Sequence, residues 1–441
     1  MKKYFGTDGI RGTYESSFLD DRFATQVGRA LGIFFQNKFG SAGKVFLARD
    51  TRPSGESLLL ACAKGLVSTG ADCHSADIIP SPALAFGIRK HQARAGIMIT
   101  ASHNPHTDNG IKIFNQFGSK LSPEDEEEIE QIIEGLDTPT CPSVSGLPML
   151  DLRTSYIENI LNFFPNEILG GLKIAVDYAN GATCRTTREV FTRLGAKLYN
   201  LHTGENPINL NCGSEHPDSL SKEVLSQNCH LGIAHDGDGD RVVLVDQDGR
   251  IIDGDQILGV LAIDAKNRNQ LKNSAFVSTI HSNSGLRPAL NKHGICLHLS
   301  DVGDRNVYAL MKSIGCNWGG ESSGHIIHEE YLPTGDGLFS ALSIVSAMIN
   351  SKKGLRFLAD EIALWPSICE SFHVQSKPPI EEVKDIQRVL NDEKRFLAEN
   401  GRVLLRYSGT ESKIRLLVEG KQLQKVEASF ARLAKIIQIT L

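Results

Sequence analysis

Ser102 closes an apolar, strand-like run in IMITASHNP, followed at once by His103, Asn104 and Pro105. A strand that hands a polar cluster to a loop is where open α/β sheets carry their sites, so Ser102 is a candidate nucleophile. The segment is not a GxSxG elbow, and a different partner must assist the hydroxyl. It reads equally as a turn in which Ser and Asn bond their own backbone. A second segment, AHDGDGDR, places Asp236, Asp238 and Asp240 at alternate positions with glycines between them. Three carboxylates so spaced can converge on one hard cation, and an oxygen-only donor set favours magnesium over zinc. An EF-hand is excluded, because Arg241 stands at the sixth loop position and Gln247 at the twelfth. A solvated acidic turn is disfavoured, since like charges this close repel unless a cation or Arg241 offsets them.

In WGGESSGH, Gly319, Gly320 and Gly324 bracket Glu321, Ser322, Ser323 and His325. Glu and Ser on such a turn can bond sugar hydroxyls and His325 can carry a proton; an ordinary strand-to-strand turn is the competing reading. In LLRYSGTESKIR, Arg406, Ser408, Gly409, Thr410 and Arg415 gather guanidiniums, hydroxyls and a tight turn. That is the chemistry of a phosphate cradle, unless the segment is a hairpin with exposed arginines. It lacks the Walker lysine, so no nucleotide is implied. Arg11 lies on a GxxGxxG turn, which is not the dinucleotide fingerprint. Arg49, Arg52 and Ser54 offer further anion-binding groups, or a surface pair with Asp50, and Lys112 follows the serine loop closely enough to orient a phosphate or move a proton.

Apolar runs at 44–48, 96–100, 172–176, 242–246 and 275–280 alternate with helix-period segments, an α/β pattern. Three times an amphipathic stretch closes at a glycine before a new apolar run, at Gly70, Gly195 and Gly294. Helix, glycine cap and strand account for all three, and suggest corresponding units in three domains of similar build. The Pro/Ser/Thr-rich stretch 137–150 reads as a linker. Domains are expected at 1–150, 151–254, 255–367 and 368–441, the last a smaller α+β domain. Ser122, with Pro123 and Asp125 behind it, reads as a helix N-cap.

The 441 residues imply two to four domains, and 41% hydrophobic with 22% charged residues is a soluble globular balance. A formal charge of −5 without a basic run offers nucleic acid no footprint. No signal peptide, anchor or membrane span is expected. The nine cysteines form no CxxC pair and read as buried or half-buried thiols in a reducing cytoplasm.

Taken together, GTDGIRG, DTRPSG, TASHNP with DNGIK, AHDGDGDR, VGDR, GGESSGH, TGDG and RYSGTESKIR closely resemble the α-D-phosphohexomutase superfamily, in family order and over essentially the whole chain. The resemblance implies four domains around a central cleft, the first three alike. It implies a phosphoserine at Ser102, with Asp236, Asp238 and Asp240 holding one Mg2+ together with a phosphoserine oxygen. Arg11 and Arg241 would steady the transferring group, with Lys112 and His325 as proton carriers. His103, Glu321 and Ser323 would bind substrate, and Arg406, Ser408, Gly409, Thr410 and Arg415 would grip the phosphate that is not reacting. The likeness is strongest to the amino-sugar branch and implies interconversion of glucosamine 6-phosphate and glucosamine 1-phosphate. A sugar 1,6-bisphosphate would be both intermediate and activator. Mannose or glucose phosphates are the alternative substrates; a non-catalytic sensor should have lost the serine or aspartates, which are all present. A phosphosugar is the expected partner, and a homodimer the assembly to test. Tyr407 and Ser412 stand where the family usually has prolines, and Ser322 where the branch more often has Gln or Asn.

Overall fold

A computed structural model describes residues 3–6, 8–136, 144–408 and 412–441, in which four sheets form within two compact units. One unit comprises Met1–His281 with Gly294–Asp360, the other Ser282–His293 with Glu361–Leu441.

The first sheet holds β1 (Phe5–Gly6), β2 (Gly9–Thr13), β3 (Lys44–Arg49), β4 (Asp72–Ile78), β5 (Ala95–Ile99) and β6 (Asp108–Asn115), in the order β1-β2-β6-β5-β3-β4. The second holds β7 (Lys173–Asp177), β8 (Lys197–Leu201), β9 (Leu231–His235), β10 (Val242–Asp246) and β11 (Ile251–Ile252), in the order β11-β10-β9-β7-β8. The third holds β12 (Ala275–Thr279), β13 (Cys296–Ser300), β14 (Trp318–Gly320) and β15 (Ile326–His328), in the order β13-β12-β14-β15.

One pattern underlies all three sheets. A central strand (β3, β7, β12) has parallel neighbours on both sides, and the second neighbour turns back into an antiparallel fourth strand. Strands such as β5, β9 and β12 are buried along their whole length, as strands covered on both faces must be, and they read as continuous apolar runs. The crossover to the outer parallel strand ends each time at the expected glycine, with φ +82° at Gly70, +94° at Gly195 and +67° at Gly294, a left-handed turn that glycine takes at least cost. Ser122 caps its helix as expected, accepting from the Asp125 N–H at 3.1 Å ahead of Pro123.

The second unit carries β16 (Ser367–His373), β17 (Gly401–Tyr407) and β18 (Lys413–Gly420), all antiparallel in the order β16-β18-β17. Helices Lys384–Leu397 and Leu423–Thr440 supply its core with Ile386, Leu390, Val426 and Leu433. The segment Ser282–His293 belongs with it: Asn283 exchanges hydrogen bonds with the Trp365 backbone at 2.8 and 2.9 Å, and Ser284 N–H donates to Glu419 at 2.9 Å. The cysteines partly correct expectation. Among the described ones all are free, but Cys296 and Cys369 are exposed where buried or half-buried thiols were expected, and Cys141 lies outside the described residues.

Candidate active site

Each repeat places its chemistry in the same connection, between the second parallel neighbour and the antiparallel fourth strand. From β5 to β6 that connection carries Ser102; from β9 to β10 it carries Asp236, Asp238 and Asp240; from β14 to β15 it carries Glu321, Ser323 and His325. Gly237, between the first two aspartates, permits the first two loops to touch, since a Cβ there would lie 2.8 Å from the Ser102 carbonyl oxygen. Gly324, at φ +88°, lets the third loop lie on β10, and a bridge between Arg241 and His325 brings the imidazole to the aspartates.

Ser102 is fully buried and left-handed at φ +53°, and its Oγ donates to Asp236 Oδ2 at 2.5 Å. The three aspartates are buried with carboxylate oxygens within 4.8 Å of one another. Asp238 Oδ2 accepts from Ser81 Oγ at 2.5 Å and Lys112 Nζ at 2.8 Å, and Asp240 Oδ2 from Lys112 at 2.8 Å. Asp238 Oδ1 and Asp240 Oδ1 are buried without a hydrogen bond. Orphaned carboxylate oxygens in an all-oxygen cluster fit a hard divalent cation such as Mg2+. Burial, then the charges of Asp240 and Asp238, push Asp236 well above the usual carboxylate range. Burial would raise Asp240 too, but Lys112 and His325 pull it below that range.

Around this cluster runs a closed ring, missed by sequence reasoning, in which Asp240, Asp8 and Asp304 alternate with Lys112, Lys120 and His325. Lys112 reaches from Asp240 to Asp8 at 3.1 Å, Lys120 pairs with Asp8 and lies 2.7 Å from Asp304, and His325 Nε2 lies 3.4 Å from Asp304 and 3.8 Å from Asp240. Burial opposes charge on Lys112, yet Asp238, Asp240 and Asp8 hold its pKa well above the ordinary lysine value. Lys112, 2% exposed, is therefore a buried, paired cation and not a surface lysine. Asp8 and Asp304 sit in GTDGIRG and VGDR, motifs visible in the sequence without a role for these carboxylates. Arg11 pairs with Asp8 and donates to Asn104 Oδ1 at 2.9 Å. His103 Nδ1 lies 3.4 Å from Ser102 Oγ, and burial followed by the Arg241 and Arg11 charges lowers this imidazole to about 4, so it is neutral at pH 7. Glu321 Oε1 accepts from Gly303 N–H at 2.9 Å, and Ser323 is exposed.

Arg52 corrects the expectation of a surface pair or anion-binding group. It is 1% exposed; Nε donates to Asp50 Oδ2 at 3.0 Å, and its other nitrogens donate to the carbonyls of Ser102, Asn104, Pro105 and Asp108 at 2.5–3.0 Å. The guanidinium fork thus holds the serine loop from beneath. Lysine keeps the charge but cannot satisfy these acceptors, so Arg52→Lys is expected to cost about 3 kcal/mol of stability, read as a lower urea midpoint.

In the second unit, Arg406 on β17 stands directly opposite Arg415 on β18, both exposed, with Ser408 buried just beyond. Two like charges thus lie side by side on adjacent antiparallel strands. Gly409 and Thr410 lie outside the described residues.

Models of the phosphoglucomutase/phosphomannomutase family match in four pieces: the alpha/beta/alpha domains I, II and III over residues 2–140, 154–249 and 253–364, and the C-terminal domain over 372–436. A phosphoglucosamine mutase of Aliarcobacter butzleri is 40% identical over 434 residues, spanning 96% of this chain and 97% of its own. One from Syntrophobacter fumaroxidans is 41% identical over 428 residues, 95% of each. Among solved structures, a phosphoglucomutase/phosphomannomutase family protein from Burkholderia thailandensis superposes with a TM-score of 0.82 at 23% identity, covering 98% of this chain and 97% of that one. Aspergillus fumigatus N-acetylphosphoglucosamine mutase, solved with GlcNAc-6P and magnesium, superposes at 0.69 and 15% identity, covering 99% and 96%. At these identities the solved structures bear on the fold alone.

Proposed function

The chain belongs to the phosphoglucomutase/phosphomannomutase family, and from that premise we propose that it interconverts glucosamine 6-phosphate and glucosamine 1-phosphate through a phosphorylated Ser102. The observation that carries the reading is the 2.5 Å bond from Ser102 Oγ to Asp236, which joins a buried hydroxyl to an aspartate cluster fit for a cation, in a chain about 40% identical to phosphoglucosamine mutases.

Phosphorylation brings about −1.5 to −2 charges to Ser102. Asp236, Asp238 and Asp240 would hold Mg2+, which supplies charge neutralisation to the transferring group. The chain's own cations do the rest: Arg241 and Arg11 flank the serine loop, while Lys112 and Lys120 offset the carboxylates behind it. In the forward direction the sugar O1 attacks phosphorus, the O1–P bond forms and the Oγ–P bond breaks. The O1 proton goes to a nearby base. Lys112 is held protonated, so His325, whose ring nitrogens make no hydrogen bond, fits this task better. The proton given up by O1 passes by way of that base to the departing Oγ, which is again the hydroxyl that donates to Asp236. The resulting 1,6-bisphosphate turns over, its 6-phosphate passes to Ser102, and glucosamine 1-phosphate leaves; retained bisphosphate rephosphorylates the serine and so acts as activator. Arg406, Ser408 and Arg415, with Gly409 and Thr410, would grip the phosphate that is not reacting, while His103, Glu321 and Ser323 would contact the sugar phosphate.

Substrate choice is tested by measuring kcat/KM for glucosamine, glucose and mannose 6-phosphates side by side. Glucosamine 6-phosphate is expected to lead by about tenfold or more, a discrimination within reach of a site built to bond one substituent. A preference for mannose 6-phosphate overturns the assignment. Among the described residues no helix is long and apolar enough to cross a membrane.

A further inference from the structure

A non-glycine residue at φ +53°, as Ser102 is, occupies a sparsely populated conformation that must be held by its surroundings. Arg52 grips the Ser102 and Asn104 carbonyls from one side. From the other side comes Asn209, on the chain that follows β8 in the second repeat. Its Nδ2 donates to the Ser102 carbonyl at 2.7 Å and to the Asn104 carbonyl at 3.0 Å, which uses both amide hydrogens. The amide lies against the metal loop as well, since a Cβ on Gly237 would come within 3.1 Å of Asn209 Nδ2.

Asn209 is itself held firmly. It is buried, its own N–H donates to the Ala179 carbonyl at 2.9 Å, and Asn180 Nδ2 donates to the Pro207 carbonyl at 3.4 Å. Buried Asp177, at the end of β7, ties the two ends of this region together by accepting from Ala179 N–H at 2.8 Å and Gly213 N–H at 2.9 Å. A rigid part of the second repeat therefore reaches into the serine loop of the first at a point wedged beside the aspartates.

We propose that Asn209 is a positioning residue for the reacting serine: its amide, anchored in the repeat that carries the aspartates, fixes the Ser102 backbone so that Oγ stays in register with Asp236. The inference rests on the phosphoserine reading above. Ser102 acts on a group transferred over a short distance, and such transfers lose rate steeply when the donor atom is misplaced by an ångström. Asn209 touches neither substrate nor cation in this role.

The test compares Asn209→Leu, of similar shape but without donors, with Asn209→Asp, which sets a carboxylate against two carbonyls. Both are expected to lower kcat between tenfold and about 100-fold with KM within about twofold of wild type, the signature of lost alignment and not of lost binding. Both should also lose radiolabelled phosphate from Ser102 to water faster than wild type does. Asn209→Leu turning over at more than half the wild-type kcat, with an unchanged phosphoenzyme lifetime, overturns the proposal, because the amide then only fills space. If one variant does not fold, the other decides on the same readouts. Ser102→Ala run in parallel separates the two claims: an active Ser102→Ala sinks the phosphoserine reading, whereas an inactive Ser102→Ala beside normal Asn209 variants sinks this inference alone.

Discussion

Turnover of glucosamine 6-phosphate by Ser102→Ala is expected to fall about 10^4-fold or more, with the fold intact. On the proposed reading the Ser102 hydroxyl carries the phosphoryl group between the two ends of the sugar, and removing a covalent nucleophile eliminates the two-step route. Its structural share is small. Ser102 Oγ makes one close hydrogen bond, to Asp236, and a buried bond of this kind is worth about 1–2 kcal/mol. A thermal melt within a few degrees of wild type would accordingly accompany the loss. Activity near wild type in this variant would remove the phosphoserine from the mechanism, and a collapsed melt would instead show Ser102 to be a structural residue.

Thorough chelation is expected to lower turnover about 10^3-fold, with Mg2+ restoring it, because charge stabilisation by a bound cation contributes several kcal/mol to phosphoryl transfer. Undiminished turnover after chelation would dismiss the metal. The same aspartates make an opposite prediction for stability. Asp236 carries a raised pKa in the folded protein, so ionising it opposes folding; the penalty is complete above that pKa and is relieved as pH falls from it toward the ordinary carboxylate value. In metal-free buffer Asp236→Asn should therefore unfold at a higher urea concentration than wild type while losing activity. Added Mg2+ should stabilise wild type more than the variant. A variant less stable than wild type without metal would mean that the Ser102–Asp236 bond outweighs the repulsion.

The strands were legible because burial on both faces leaves continuous apolar runs, and the glycines at 70, 195 and 294 were legible because a left-handed turn selects glycine. The motif loops could be found for a related reason: short segments rich in one chemistry stand out wherever they fold. Arg52 could not be read, since nothing in DTRPSG distinguishes a guanidinium at the surface from one surrounded by carbonyls contributed some 50 residues later. The ring of Asp240, Lys112, Asp8, Lys120, Asp304 and His325 was hidden in the same way. Each member is an ordinary side chain in sequence, and only the folded chain sets carboxylates and nitrogen groups in alternation. Nor does any composition signal mark Ser282–His293 as belonging with the C-terminal unit, because its ties are backbone and amide bonds made by a few residues.

The same connection, used three times, carries Ser102, the three aspartates and the turn of Glu321, Ser323 and His325, to which the proposed function gives three different tasks. The protein is thus redundant as scaffolding and wholly non-redundant as chemistry. No repeat can stand in for another, and a lesion in any one of these loops finds no backup in the other two. Conversely, on the proposed reading the turn at 321–325 can vary to suit a different sugar while the strands around it, and the loops of Ser102 and the aspartates, stay as they are.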